Sequence, residues 1–358
     1  MTYWLAAAGQ TPGLFNAALP VVETLGFTPS LPGWQLRVLD GNHLPASEKR
    51  LAPLRDCRGA ALPGHTLVVY DADRGLVTDI VPCEDAHAQE RAVAQPLLER
   101  AQPGELWMGD RNFCTRTLLQ GWQHAGASFI VREHGRHPQI VEQGRWRACG
   151  RVETGAVRQQ TMRIEAGQPP WRRIELELDE ATEDGETVIR LWSNLPQAVT
   201  ALQIARLYRK RWRIEHLFQR LESVLDSEIR SLGYPRAALL GFAVAVLAYN
   251  VVHLLKHSVE QAHRQELPDL DVSTYYIAVD LRAEYEGMLI ALPPAAWSDW
   301  AENDPCRLAD RLLDLARGFD PRRLATNKRG PKVKKPKGYV DAAVARSHIS
   351  TARVLGMA

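Results

Sequence analysis

The nineteen residues from 237 to 255, AALLGFAVAVLAYNVVHLL, carry no charge, and any fold open to this chain has to hide them. A run of that length is long enough to span a bilayer as a helix. Gly241, Asn250, His253 and the many alanines suit a helix buried in protein better than one facing lipid. A chain of 358 residues with 45% hydrophobic and 24% charged side chains can enclose such a helix in its own core, with length for two or three structural units. A membrane-anchored protein is the alternative on this feature alone.

No Lys or Arg precedes Arg37, so the basic start of a secretory signal is missing and a cytoplasmic protein is expected. The five cysteines, Cys57, Cys83, Cys114, Cys149 and Cys306, are scattered and form no CxxC pair. Neither a disulfide framework nor a zinc knuckle is supported.

The net charge of +2 conceals a segregation. Residues 132–173 hold nine Arg against four Glu, residues 206–220 six basic side chains against one acid, and residues 328–337 six basic and none acidic. These segments carry +5, +5 and +6, leaving −14 for the remainder. Concentrated positive charge is what a polyanion requires, so nucleic acid is the expected partner class, with an affinity that falls steeply as salt rises.

Along the chain, residues 1–33 are Pro- and Gly-punctuated with Glu23 their single charge. WQLRVLDGNH alternates Trp34, Leu36, Val38 and Asp40 on one face of a strand expected to stop at Gly41. HTLVVY and GLVTDIV read as two more strands joined by the turn DADRG, giving an antiparallel meander. DAHAQERAVAQPLLERAQPG reads as a helix capped by Asp85, ELWMGDRNF as a strand ending at Asp110, residues 115–124 as a helix and SFIVRE as a strand. Residues 134–186 read as short β-like pieces, TVIRLWSNLP as a core strand, and the following charged stretch as one long helix. Helices at 236–263 and 305–317 and a flexible basic tail complete the chain. The expected divisions are 1–33, 34–133, 134–186, 187–263, 264–326 and 327–358.

Three acids occupy special places. In YRKRWRIEHLFQRLES (208–223), a spacing of about 100° per residue puts Tyr208, Arg211, Glu215 and Glu222 within a sector roughly 60° wide, beside an apolar stripe of Leu207, Ile214, Leu217 and Leu221. An ordinary Arg211–Glu215 ion pair explains this equally well. Asp40 and Asp110 each end an apolar strand before a turn, a common place for a structural Asp. Together, two strand-end aspartates and a helix-borne glutamate are hard oxygen donors able to hold two Mg²⁺ ions against a phosphodiester.

VLDGNH, GDRNF and YRKRWRIEHLF resemble the three blocks of DDE transposases of the bacterial insertion-sequence type, and within them the IS-four family, whose third-acid helix carries Tyr, Arg, Glu and Lys in fixed spacing. The resemblance covers residues 34–255 and implies an α/β fold: a ribonuclease-H-like mixed sheet with flanking helices, its first three strands antiparallel. A β-rich insertion between the second and third acids and a helical C-terminal part complete it. It further implies that Asp40, Asp110 and Glu215 bind two Mg²⁺ ions, with Mn²⁺ able to substitute, and that Tyr208, Arg211, Trp212 and Arg213 meet DNA. The implied activity is cleavage of double-stranded DNA at element ends and strand transfer, by a nucleoid-associated homodimer without a membrane partner. Trp146, Trp171 and Trp192 are expected in core packing. Two departures stand out: Glu222 occupies the Lys position, and residues 1–39 lack the end-recognition domain that relatives carry, which makes a truncated start one expectation. A transposase-derived protein that binds DNA without cutting it is the alternative function.

Overall fold

Alternating burial along QLRVLD builds the first strand, β1 (Gln35–His43), with Leu36 and Val38 turned to one face and Leu39 to the other. A computed structural model describes residues 16–44, 65–83, 88–136, 138–182, 185–227, 235–291, 293 and 304–326. The expected Asp85 cap and the basic tail from 327 lie outside the described residues.

β1 pairs antiparallel with β2 (His65–Asp71), which pairs antiparallel with β3 (Leu76–Cys83), the meander expected from the sequence. On its other side β1 takes β4 (Glu105–Gly109) in parallel, and β4 takes β5 (Ser128–Arg132) in parallel. The segment after β5 forms β6 (Glu142–Gln143), β7 (Arg147–Val152), β8 (Gly155–Arg163) and β9 (Trp171–Leu178), and the chain returns as β10 (Val188–Ser193) against β5. The result is one mixed sheet of ten strands in the order β3-β2-β1-β4-β5-β10-β9-β8-β6, with β7 on β8. The β-like pieces read in the sequence therefore extend the central sheet through β9 and β10.

Helices cover both faces. On one, α3 (Gln95–Arg100) and α4 (Arg116–His124) lay Leu97, Leu118 and Trp122 over Leu39, Val69, Trp107 and Phe129. Trp122 stacks on Trp107 with ring centres 5.6 Å apart. On the other, α5 (Ala201–Tyr208), α6 (Arg213–Leu225) and α7 (Pro235–Ala262) bury Ile204, Ile214, Leu217, Phe242 and Val246 against Leu36, Val38, Val68 and Ile130. This mixed sheet with flanking helices is compatible with a ribonuclease-H-like domain. α8 (Thr274–Ala291), α9 (Pro305–Arg317) and the N-terminal α1 (Leu19–Leu25) pack around the far end of α7.

Four local expectations are corrected. β1 runs past Gly41 because Asn42 and His43 still find partners in Thr66 and His65; a glycine weakens a strand without ending its ladder. The helix read across residues 85–104 is broken at Ala94 into α2 (Glu90–Val93) and α3, since Pro96 has no N–H for a continuing helix and suits a first turn. The long charged helix is interrupted by a tighter 3₁₀ turn over Arg209–Trp212 between α5 and α6. Residues 1–33, read as a Pro- and Gly-punctuated segment with no element assigned, contain α1, with Pro20 in its first turn.

α7 contains the uncharged stretch. Of the apolar span Ala237–Ala262, long enough to cross a membrane, 61% is buried in the protein, while Leu240, Val244 and Val251 on one flank stay exposed. Trp171 and Trp192 are fully buried, as expected for core residues, whereas Trp146 is only partly covered, with Arg158 and Arg173 over its ring. Asn250 explains itself by pairing. Its Oδ1 accepts from Val77 N at 2.9 Å and its Nδ2 donates to Val77 O at 2.8 Å, so the side-chain amide serves as the next strand for edge strand β3. Asn250→Leu strands both buried backbone groups and is expected to cost about 1–3 kcal/mol for each, read as the denaturation midpoint; an unchanged midpoint would contradict this role.

Candidate active site

The site is assembled by strand alternation and parallel register. β1 and β4 run side by side with Leu36 opposite Leu106 and Val38 opposite Met108. Two residues further, the same alternation brings Asp40, within β1, abreast of Asp110, just past the end of β4, on the face that carries Leu36, Val38, Leu106 and Met108. That face is covered by α6. Asp110 also caps the following 3₁₀ turn, its Oδ1 accepting from Asn112 N at 2.8 Å.

Arg211 joins sheet and helix. Its Nη1 lies 3.2 Å from Asp40 Oδ2 and its Nη2 2.8 Å from Glu215 Oε1. The guanidinium is buried, with 7% of the residue exposed, while the Glu215 carboxylate is 40% exposed. Tyr208 is buried behind it; the Tyr208 hydroxyl and Arg211 Nε are both buried without a hydrogen-bond partner. Burial pushes the Tyr208 phenol well above its ordinary range. Burial also drives the Asp40 carboxyl up to about 7, against the pull of Arg211 and with added repulsion from Asp110 and Glu90.

Glu90, on the first turn of α2, is a fourth carboxylate that sequence reasoning missed. A Cβ on Gly41 would collide with its carboxylate, and Asn112 Nδ2 donates to Glu90 Oε2 at 2.5 Å. It therefore lies against the residue after Asp40 and is tied to the turn that Asp110 caps. The acid sits on an unremarkable short helix, and the one local signal was a glycine inside a strand, which often marks close approach of another group.

The remaining candidates divide. Trp212 is 48% exposed, its ring 4.7 Å from the Arg211 guanidinium carbon. Arg213 points elsewhere: its Nη1 donates to Ala72 O at 2.8 Å, at the turn between β2 and β3. Glu222 is exposed on α6. Much of the positive charge counted in the sequence is already neutralised. Arg158 holds Glu175, Arg173 holds Glu133, and Arg206 and Arg209 hold Glu153.

Among the described residues, no three His, Cys, Asp or Glu side chains converge tightly enough to hold a metal ion as they stand. The chemistry of the donors nonetheless fits a hard cation. Asp40 is held near neutrality by burial and by neighbouring carboxylates, and the group between Asp40 and Glu215 is itself a cation.

A mixed ten-stranded sheet with flanking helices is compatible with a transposase domain of the ribonuclease-H-like kind. The family described as "Transposase DDE domain" matches residues 36–251, and the chain belongs to that family. No curated protein matches the chain.

The Asp40 shift has a definite sign. The folded protein keeps this proton up to about pH 7 while the unfolded chain releases it near 3.8, so the metal-free protein loses stability as pH rises between those values. Asp40→Asn removes the loss. In EDTA the variant is expected to gain roughly 1–4 kcal/mol over the parent at about pH 8 and nothing below about pH 4, measured by melting across that range; a gain that does not depend on pH would contradict the assignment.

Proposed function

We propose that this chain is a transposase of the IS-four type that cuts double-stranded DNA at element ends and joins the freed 3′ end to target DNA, with Asp40, Asp110 and Glu215 as its catalytic carboxylates. The observation that carries the proposal is the register match that brings Asp40 abreast of Asp110 under Glu215. The ribonuclease-H-like core would comprise residues 34–133 and 187–263, with 134–186 as its insertion.

The three carboxylates would hold divalent cations, Mg²⁺ or Mn²⁺, which when bound activate the attacking oxygen and stabilise the leaving one. Arg211 is the residue that must change partners. With Asp40 and Glu215 engaged by cations, its guanidinium is freed to take a phosphate oxygen, and its unpartnered Nε and the Tyr208 hydroxyl are donors without another use. Trp212, exposed beside them, offers a face for the strand. Arg213 would meet DNA on the other flank of the helix. Joining two element ends accounts for the proposed homodimer, and the proposed place of action is the cytoplasmic nucleoid.

The alternative, a transposase-derived protein that binds DNA without cutting it, finds support in Glu222, which puts a negative charge where the signature has Lys. Purified protein is tested with Mg²⁺ and duplexes carrying the terminal inverted repeats that flank its gene. Cleavage abolished by Asp110→Asn is the expected outcome; binding without cleavage by the parent protein would favour the alternative. Reversing Glu222 to Lys alters the interaction with a phosphate about 4 Å away by roughly 2 kcal/mol in water-like surroundings. Glu222→Lys is therefore expected to tighten DNA binding about 30-fold at low salt; an unchanged affinity would place Glu222 away from the strand.

A further inference from the structure

α6 has three sides. Ile214, Leu217 and Leu221 face the core. At about 100° per residue, Arg213, His216 and Arg220 share a sector roughly 60° wide, turned roughly 130° from Glu215. All three are exposed, and neither Arg213 nor Arg220 forms an ion pair among the described residues. This basic flank is one wall of a cleft of about 600 Å³, closed by α7 through His253, Lys256 and His257 and by the β2–β3 turn at Ala72–Gly75.

The acids in the cleft are already paired. Lys210 holds Asp73 at 2.9 Å, and Lys256 holds Glu260 and Asp271, each at 2.6 Å. Arg74 is fixed between Asp71 at 2.7 Å and Glu23 at 2.9 Å. Arg74 and Lys256 each serve two carboxylates, and the cations of the cleft without an ion pair among the described residues are Arg213 and Arg220. At the floor, His253 is 93% buried (7% exposed), its ring stacked on Tyr249 at 4.1 Å and its Nε2 without a hydrogen-bond partner. Its other nitrogen faces Gly75, where a Cβ would come within 3.0 Å of Nδ1. Gly75 has φ +73°, a conformation that glycine takes without strain, and its bare Cα leaves the cleft open over the imidazole.

We propose that this cleft is a second phosphate site, which takes a backbone phosphate of DNA on the flank of α6 opposite Glu215. The proposal rests on DNA being the substrate, as argued above. A helix is about 10–12 Å across with its side chains, so the phosphate lies on the order of 10 Å from the one at Glu215. At about 3.4 Å of axis per nucleotide, that is roughly three nucleotides along the strand. Arg220 and Arg213 supply the charge, and His216 and His253 supply N–H donors.

The test is DNA binding by the full chain in EDTA, where cleavage plays no part, using a labelled duplex of mixed sequence. Arg220→Gln with His216→Gln alters only exposed side chains, and circular dichroism verifies the fold. The variant is expected to bind about tenfold more weakly at low salt. Its plot of log affinity against log salt should be shallower by about one unit, as for one lost phosphate contact, with Arg220→Lys restoring the slope. An unchanged slope in the folded double variant overturns the proposal. So does protection from melting by inorganic phosphate that requires Arg220 while the DNA slope stays constant, because the cleft then takes a free anion. A protein that shows the Arg220-dependent slope yet cuts no DNA keeps this site and loses only the enzymatic reading.

Discussion

A single buried guanidinium holds the candidate site together. Arg211 is the link between a strand-end aspartate and a helix glutamate that are 175 positions apart in the chain (Asp40 and Glu215). A buried cation is tolerated only when it is paired, and Arg211 is paired to both at once. The same contact orients α6, which it holds through Glu215 while Ile214, Leu217 and Leu221 pack into the core. Its Glu215 flank and its basic flank are thereby fixed on different sides. Burial keeps the Asp40 carboxyl raised despite the neighbouring Arg211.

Much of this was legible in the sequence for a simple reason. Strand alternation is a local property with period two, so Leu36, Val38 and Asp40, and Leu106, Met108 and Asp110, announce their shared face without knowledge of the fold. The apolar stripe on α6 is equally local. What stayed hidden depends on residues far apart in the chain. Glu90 reaches the site only because α2 packs on Gly41 and the turn at Asn112. The 3₁₀ turn at Arg209–Trp212 has no breaker residue to signal it.

Segment charge overstates the basic surface that the fold leaves open. Nine arginines in residues 132–173 make a concentrated basic segment, but several of them are paired with Glu133, Glu175 and Asp179. Opposite charges on facing strands are an ordinary means of sheet stabilisation. Among the described residues, what remains for a polyanion is narrower than the totals imply and includes Arg213 and Arg220 on α6. The polar residues within the apolar α7 make the same point from the other side: Asn250 and His253 looked like blemishes in a hydrophobic run, and one closes the sheet edge while the other floors a cleft.

The central claim is that Asp40, Asp110 and Glu215 act as one oxygen-donor set for divalent cations. Titration of Mn²⁺ into the protein, followed by the electron paramagnetic resonance signal of the free ion, measures this without DNA or turnover. The account expects uptake of about two ions per chain, as two-metal chemistry requires, reduced by Asp110→Asn and abolished when all three acids are replaced by their amides. Absence of uptake by the parent protein, or uptake that survives the triple replacement, would contradict it.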